Sequence, residues 1–438
     1  MAPASGIDPR TPSCFLEDQA TVFAAMVAET EAQLNAIDAE AVKSGFTICE
    51  SDNLRLLAQM AVAMARKIPV FLGNPHWQTS EWKQVRAQGA PPKLQMLSLE
   101  TKAGGTLPGE IYIPTGGSSG SIKFARHTAD TLFAAADALC QFFEGRKIHS
   151  WSPLPAYHIS GLMPWVRTLR SGGKIYVGKE QAATQQFPAE GLLAASIVGT
   201  QLARMMEETD QAFLRSFDIL FIGGSPVHGE LLRKACERRI PLAPCYGSTE
   251  TAAMISCLRP EHFLQGRINA GALLPHAKVN CDETGRIHIH ASSLFQGYWP
   301  EPSKEITTFW QTDDLGMLDP EGFLQIRGRA DHIIISGGEK IEPAQVANEI
   351  VLLAGVSDAI VVPENHPTWG QQAVCILTLE KPGIRTNSLA AELKYRLASF
   401  KIPKRWIVVE KMPYSAHGKR DPALISQLLN THAETGQS

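Results

Sequence analysis

Ile111, Tyr112 and Ile113 make a β-like apolar run that opens directly into TGGSSGSIK, a glycine- and hydroxyl-rich loop closed by Lys123. Gly116, Gly117 and Gly120 have no Cβ, tolerate positive φ and let the backbone approach a ligand closely. Thr115, Ser118 and Ser119 add hydroxyls and Lys123 adds a positive charge, the chemistry that a polyphosphate asks for. The string is not GxxxxGK[ST], and that pattern occurs nowhere else in the chain, so the usual P-loop fold is disfavoured. Taken alone, the same residues would also suit a flexible surface linker. The remainder of the chain decides between the two.

The 438 residues are 44% hydrophobic and 19% charged, enough to build two or three globular domains of ordinary composition. A net charge of −3 gives no strongly basic surface for nucleic acid. No apolar run of about 18 residues suggests a membrane span. The first residues carry acids and lack an apolar core, unlike a secretory signal. Eight cysteines are scattered without a CxxC pair, which predicts a reduced, cytoplasmic protein with neither zinc knuckle nor disulfide framework. Oligomeric state is not legible.

Helical periodicity is expected over 17–43 and 53–66, with a Pro/Gly/Trp-rich loop at 73–92. Beyond the glycine loop, apolar runs alternate with helical segments: helix 129–143, strand 173–178, helix 197–208, strand 218–222, helix 228–238. That alternation predicts α/β architecture with a largely parallel sheet. From about 264 to 330 short β-like runs suggest a β-rich subdomain. After 330 a helix at 343–353, strands at 358–362 and 373–379 and a helix at 387–398 predict a small α+β domain. The expected organisation is therefore a large N-terminal domain, 1–330, of mixed sheets flanked by helices, followed by a small mobile domain, 331–438.

Four further segments carry chemistry. In PCYGSTETAA, Tyr246 offers a flat face, Gly247 a tight turn, Ser248 and Thr249 hydroxyls, and Glu250 a carboxylate suited to Mg²⁺ near phosphates, although a Ser/Thr cap with Glu in the first turn explains the string equally. In WQTDDLG…GRADHIIISGGEK, Asp314 can accept from vicinal hydroxyls, Arg329 can reach the same sugar, Asp331 stands at the predicted domain boundary, and Ser336, Gly337 and Gly338 form a permissive turn. These residues also suit plain turns and a surface ion pair. Lys419 lies in a polar loop near the C-terminus, where a lone lysine is ordinarily just solvated. In PLPAYHISGLMPWVRTL, His158 and Arg167 interrupt an apolar stretch, and Arg167 is costly to bury without an anionic partner.

In this order, IPTGGSSGSIK, LPAYHISG, YGSTE, TDDLG…GRADHIIISGGEKIEP and PYSAHGK resemble the acyl-adenylate-forming superfamily of acyl-CoA synthetases, luciferase and peptide-synthetase adenylation domains, over about residues 110–421. The resemblance implies that Thr115 to Lys123 hold the phosphates of ATP, Tyr246 with Gly247 and Ser248 meets adenine, Thr249 contacts phosphate and Glu250 binds Mg²⁺. It implies that Asp314 and Arg329 hold the ribose, that Asp331 is a hinge, and that Ser336–Gly338 line a coenzyme A tunnel. Lys419, Glu250 and Lys123 become the catalytic residues of a two-step reaction, acyl-adenylate formation followed by thioester formation. Within the superfamily the chain is most similar to o-succinylbenzoate–CoA ligases of menaquinone and phylloquinone synthesis, in their short cyanobacterial-type form. That likeness implies Arg167 as partner of an inert substrate carboxylate, with His158, Ser160, Gly223, Gly224 and Ser225 lining the same pocket.

Gly116 stands where relatives carry serine, Ile122 where they carry proline before the lysine, and Asp313 where they carry glycine before the ribose aspartate. The last adds a negative charge near a polyanion unless it faces solvent. Another aryl- or acyl-CoA ligase, a protein that loads a carrier, and a nucleotide-binding module without ligase activity remain as alternatives.

Overall fold

The computed structural model describes residues 8–37, 39–94, 106–116, 122–179, 186–208, 211–224, 227, 229–302, 306, 308–381, 383–414 and 421–433. It is a mixed α/β structure in which four sheets organise those residues.

A five-stranded sheet has the order Phe46–Ile48, Val70–Leu72, Glu110–Gly116, Ile122–Thr128 and Tyr298–Trp299. Its first three strands are parallel. The strands Glu110–Gly116 and Ile122–Thr128 pair antiparallel. A seven-stranded sheet runs Ala272–Leu273, Ala253–Cys257, Leu242–Ser248, Ile219–Ile222, Leu192–Ile197, Ile148–Ser152, Ile175–Val177. It is parallel from Leu242–Ser248 through Ile175–Val177 and turns antiparallel at Ala253–Cys257. The expected parallel sheet is therefore present, with an antiparallel edge.

Helices Ala129–Phe142 and Ile159–Ser171 lie between these two sheets. Leu132, Ala135, Leu162 and Val166 join the core that holds Ile111 and Ile113. Ala138 and Leu139 join the core of Ile148 and Phe221. Burial on both sides explains why Ile159–Ser171 is apolar around most of its circumference.

A third, four-stranded sheet, Ala277–Cys281, Arg286–Ala291, Trp310–Leu318 and Leu324–Arg329, is antiparallel throughout. It fills the region predicted to be β-rich. The last sheet pairs Glu339–Ile341, Ile334–Ser336, Gly370–Leu379, Val356–His366 and Arg405–Val408, and packs its own core with helices Pro343–Val351 and Thr386–Leu393.

Several local expectations need correction. The periodic stretch 17–43 is two helices, Glu17–Asn35 and Ala39–Lys43, the first capped at its C-terminus by Ala36. The stretch 73–92 is not all loop: Thr79–Ala87 is helical, and Glu81 accepts from the Gln78 N–H at 2.9 Å. Glu250 begins no α-helix; Thr249–Thr251 is a single 3₁₀ turn that leads back into a strand.

Candidate active site

The hairpin register sets Thr115 opposite Lys123 and Gly116 opposite Ile122, so both ends of the glycine loop leave the sheet at one point. Gly117, Ser118, Ser119 and Gly120 lie outside the described residues. Lys123 is exposed and its ammonium sits 5.2 Å from the centroid of the Tyr298 ring. Tyr298 comes from the neighbouring strand, paired with Ala125. Its hydroxyl donates to Glu250 Oε1 at 2.8 Å. Lys123 and Glu250, 127 positions apart by numbering, thus meet across one aromatic ring.

Glu250 is 7% exposed and, among the described residues, has no cationic partner. A buried carboxylate is expensive unless something compensates it. The described residues hold no group of three or more His, Cys, Asp or Glu able to enclose a metal ion. Glu250, with one carboxylate oxygen left without a protein partner among the described residues, fits a hard ion such as Mg²⁺, which takes one protein carboxylate and completes its shell with phosphate oxygens and water. Beside it, the Ser248 hydroxyl is buried with no hydrogen-bond partner, and the Ser248 N–H is spent on Thr251 Oγ1 at 2.8 Å.

The Tyr246 hydroxyl donates to Asp314 Oδ2 at 2.6 Å. Asp314 pairs in register with Arg329 across the hairpin Trp310–Leu318/Leu324–Arg329, and Arg329 Nη1 approaches Asp314 Oδ1 at 3.4 Å. Burial raises the Asp314 carboxyl, against the Tyr246 hydrogen bond and the Arg329 charge, which lower it. The same guanidinium grips Asp331 through Nε and Nη2, each at 2.8 Å, and this bidentate pair pushes its already high pKa further up. Asp313 is over half exposed and lies 3.5 Å from Arg329 and 3.7 Å from Arg286. Its extra negative charge is thereby screened, as the sequence required.

Arg167 is 3% exposed on helix Ile159–Ser171. Nη2 donates to Ser196 Oγ at 3.2 Å, and the guanidinium stacks 4.8 Å from the Phe221 ring centroid. No acidic side chain among the described residues lies within ion-pair distance of it. Burial lowers its pKa to about 10, so it remains a cation at neutral pH. A recess beside it is lined by Ala135, Leu139, Met163, Ala252, Ala253 and Met254, the last three following directly on the Glu250 turn. Gly223 packs on Cys245, where a Cβ would come within 2.9 Å of Sγ, and Gly224 has φ +81°. Ser160 lies two helical turns before Arg167 on the same face. His158 precedes the first turn of that helix, partly exposed, with its ring 4.6 Å from Tyr157. Ser225 lies outside the described residues.

Ser336, Gly337 and Gly338 form the tight turn of the hairpin Ile334–Ser336/Glu339–Ile341, with both glycines at positive φ. The Gly337 N–H donates to the Trp369 carbonyl at 2.9 Å. Lys419 lies outside the described residues.

Two histidines, His127 fully buried and His276 partly buried, brace the Thr249–Thr251 turn, and the sequence alone did not single them out. His127, fully buried, sits 2.8 Å from the Thr249 carbonyl through Nε2 and 2.9 Å from Thr131 Oγ1 through Nδ1. A carbonyl only accepts, so Nε2 carries the proton and Nδ1 takes the threonine hydroxyl. His276 Nε2 lies 2.8 Å from Ser293 Oγ, and that hydroxyl donates to the Thr251 carbonyl at 2.9 Å. Burial lowers both imidazoles to about 4, leaving them neutral. Tyr298 also escaped the sequence reading. The available signal for His127 was its position four residues after Lys123; Tyr298 flanks no motif segment.

Comparison with known proteins gives a consistent result. Residues 106–299 match the AMP-binding enzyme family and residues 345–419 match the AMP-binding enzyme C-terminal domain. A 2-succinylbenzoate–CoA ligase of Listeria monocytogenes is 30% identical over 313 residues, 70% of this chain and 67% of that protein. The protein of the same name from Oceanobacillus iheyensis is 29% identical over 337 residues, 72% of this chain and 70% of its own length. Among solved structures, o-succinylbenzoate CoA synthetase from Bacillus subtilis in complex with its acyl-adenylate intermediate superposes with a TM-score of 0.75 at 23% identity, covering 92% of this chain and 91% of that one. The same enzyme with ATP and a magnesium ion gives 0.75 at 24% identity, covering 94% of each chain. At such identities these superpositions establish the two-domain fold.

Proposed function

This chain belongs to the AMP-binding, acyl-adenylate-forming enzyme family, and on that premise we propose that it is an ATP-dependent, AMP-forming acid–thiol ligase that adenylates o-succinylbenzoate and transfers the acyl group to coenzyme A, a step of menaquinone and phylloquinone synthesis. The observation that carries the substrate assignment is Arg167: a buried cation with no acidic partner among the described residues, behind the turn that bears Glu250. Such a site is completed by an anion that arrives with the substrate. o-Succinylbenzoate has two carboxylates, one on the ring and one on the succinyl arm. Arg167 would hold the ring carboxylate and leave the other to react. Coulomb attraction for a pair at 4 Å is about 4 kcal/mol at an effective dielectric of 20, before desolvation, enough to reject a neutral acyl chain. The curated relatives carry the same substrate in their names.

In the first half-reaction a carboxylate oxygen attacks the α-phosphorus of ATP, and pyrophosphate departs. Thr115 to Lys123 cradle the phosphates, Tyr246 faces adenine beside Gly247 and Ser248, Thr249 contacts phosphate, and Asp314 with Arg329 accepts the ribose hydroxyls. Glu250 would hold Mg²⁺, which when bound neutralises charge on phosphate oxygens. Lys419 brings a further positive charge to the transfer. In the second half-reaction the thiol of coenzyme A attacks the acyl carbon, the acyl–phosphate bond breaks and AMP leaves. His158, Ser160, Gly223, Gly224 and Ser225 line the acyl pocket, and Ser336–Gly338 line the approach of pantetheine. One lysine cannot occupy the geometry of both steps, so the domain from Asp331 to the C-terminus rotates between them, with 1–330 as its base. Asp331, the proposed hinge, is paired with Arg329 two residues before it. No helix among the described residues is long and apolar enough to cross a membrane, and we place the enzyme in the cytoplasm, where ATP and coenzyme A are available.

A coupled thioester assay with o-succinylbenzoate, benzoate and a medium-chain fatty acid tests the assignment. Turnover should be confined largely to o-succinylbenzoate. Equal or better turnover of either other acid overturns it, in favour of another aryl- or acyl-CoA ligase.

A further inference from the structure

Resting on the ATP and magnesium reading above, we propose that Tyr298 is a positioning residue for nucleotide binding, whose hydroxyl orients the Glu250 carboxylate and whose ring seats the Lys123 ammonium. Three observations carry it. The hydroxyl donates to one carboxylate oxygen only, Oε1 at 2.8 Å, which leaves Oε2 without a protein partner among the described residues. Lys123 stands over the ring at 5.2 Å. The segment that bears Tyr298 is fixed at both ends: the Phe295 N–H donates to the Glu250 carbonyl at 2.8 Å, the Phe295 ring lies 4.9 Å from that of Tyr298, and Tyr298 pairs in register with Ala125.

The two functions act on different parts of the same ligand. A carboxylate rotates freely about its terminal bond unless a donor holds it, and a rotated Glu250 presents the wrong lone pair to a cation. Fixing Oε1 therefore aims Oε2. The ring works differently: it attracts an ammonium through its negative face and requires no hydroxyl.

Two substitutions separate these roles. Tyr298→Phe removes the hydroxyl and keeps the ring; Tyr298→Leu removes both. ATP is titrated calorimetrically into the full-length parent and each variant, once with magnesium and once with EDTA. For Tyr298→Phe, the gain in ATP affinity that magnesium confers should shrink about tenfold, the loss expected for one hydrogen bond to a charged group. Its affinity in EDTA should stay within about twofold of the parent, because the aromatic face that seats Lys123 is retained. For Tyr298→Leu, affinity in EDTA should also fall by about two- to fivefold, through loss of the Lys123 seat. A purely structural role predicts instead that both variants weaken both titrations alike and lose thermal stability together. The inference is overturned if Tyr298→Phe keeps the parent's magnesium gain, or if the two variants are indistinguishable. A parent that binds no ATP under either condition overturns the functional reading itself, and this inference with it.

Discussion

Arg167, His127 and His276 are residues whose ionisation this environment shifts. Burial costs the Arg167 cation more than its neighbours return, since its pKa falls to about 10. Each unit of such a shift is about 1.4 kcal/mol, so about 3 kcal/mol of stability is given up while the arginine is charged. Arg167→Met should therefore unfold at a temperature equal to or above the parent's. It should also lose about 10- to 100-fold in kcat/KM for o-succinylbenzoate, the cost of one charged contact, with little effect on monocarboxylic acids. An unfolding midpoint well below the parent's, or undiminished turnover, contradicts this account of the pocket. His127 and His276 behave in the opposite sense to a paired histidine. Their pKa values drop from 6.5 to about 4 on folding, through burial. Between those values the unfolded chain holds more protons, so the stability they contribute is complete above pH 6.5 and is lost as pH falls toward 4. Denaturant titrations at pH 7.5 and 5 should show that loss in the parent and a smaller one in His127→Gln and His276→Gln.

At the level of the element, the turn that follows strand Leu242–Ser248 has almost no freedom. A Cβ on Gly247 would lie 1.8 Å from the Ala253 carbonyl oxygen, a backbone atom that cannot move aside without breaking the strand pair. Gly247→Ala should therefore cost about 1–3 kcal/mol of stability, the range for overpacking, and weaken ATP binding together with it. Wild-type stability in that variant would show that the turn is softer than its register implies. Such elements were legible from sequence in proportion to their length and periodicity. The helix Asn53–Arg66 repeats its apolar residues over 14 positions, and its bounds agree with the expectation. The strands Phe46–Ile48 and Val70–Leu72 are three residues each, too short to show any period, and they passed unnoticed. The helix Thr79–Ala87 was hidden by the tryptophans, glycine and prolines around it. Motif residues stood out because their types are unusual together. Tyr298 and His127 did not, because one tyrosine or histidine in an apolar strand is uninformative until tertiary register sets it against Glu250 or Thr249.

For the molecule as a whole, the proposed mechanism divides the work between a base that would bind nucleotide and acid and a C-terminal unit that would bring Lys419. Removing one preorganised charge of this kind costs about 10²–10³ in rate. Lys419→Ala should lose that much in acyl-adenylate formation and retain thioester formation from supplied acyl-adenylate, because the second step does not use the lysine. Equal loss in both half-reactions would contradict domain rotation. The central claim, that this chain activates o-succinylbenzoate through an adenylate, is tested most directly by pyrophosphate release in the absence of coenzyme A. Mixing the protein with magnesium, ATP and o-succinylbenzoate should release about one pyrophosphate per active site in a rapid burst and then stall until coenzyme A is added. No burst with this acid, or a burst that does not depend on it, would contradict the account.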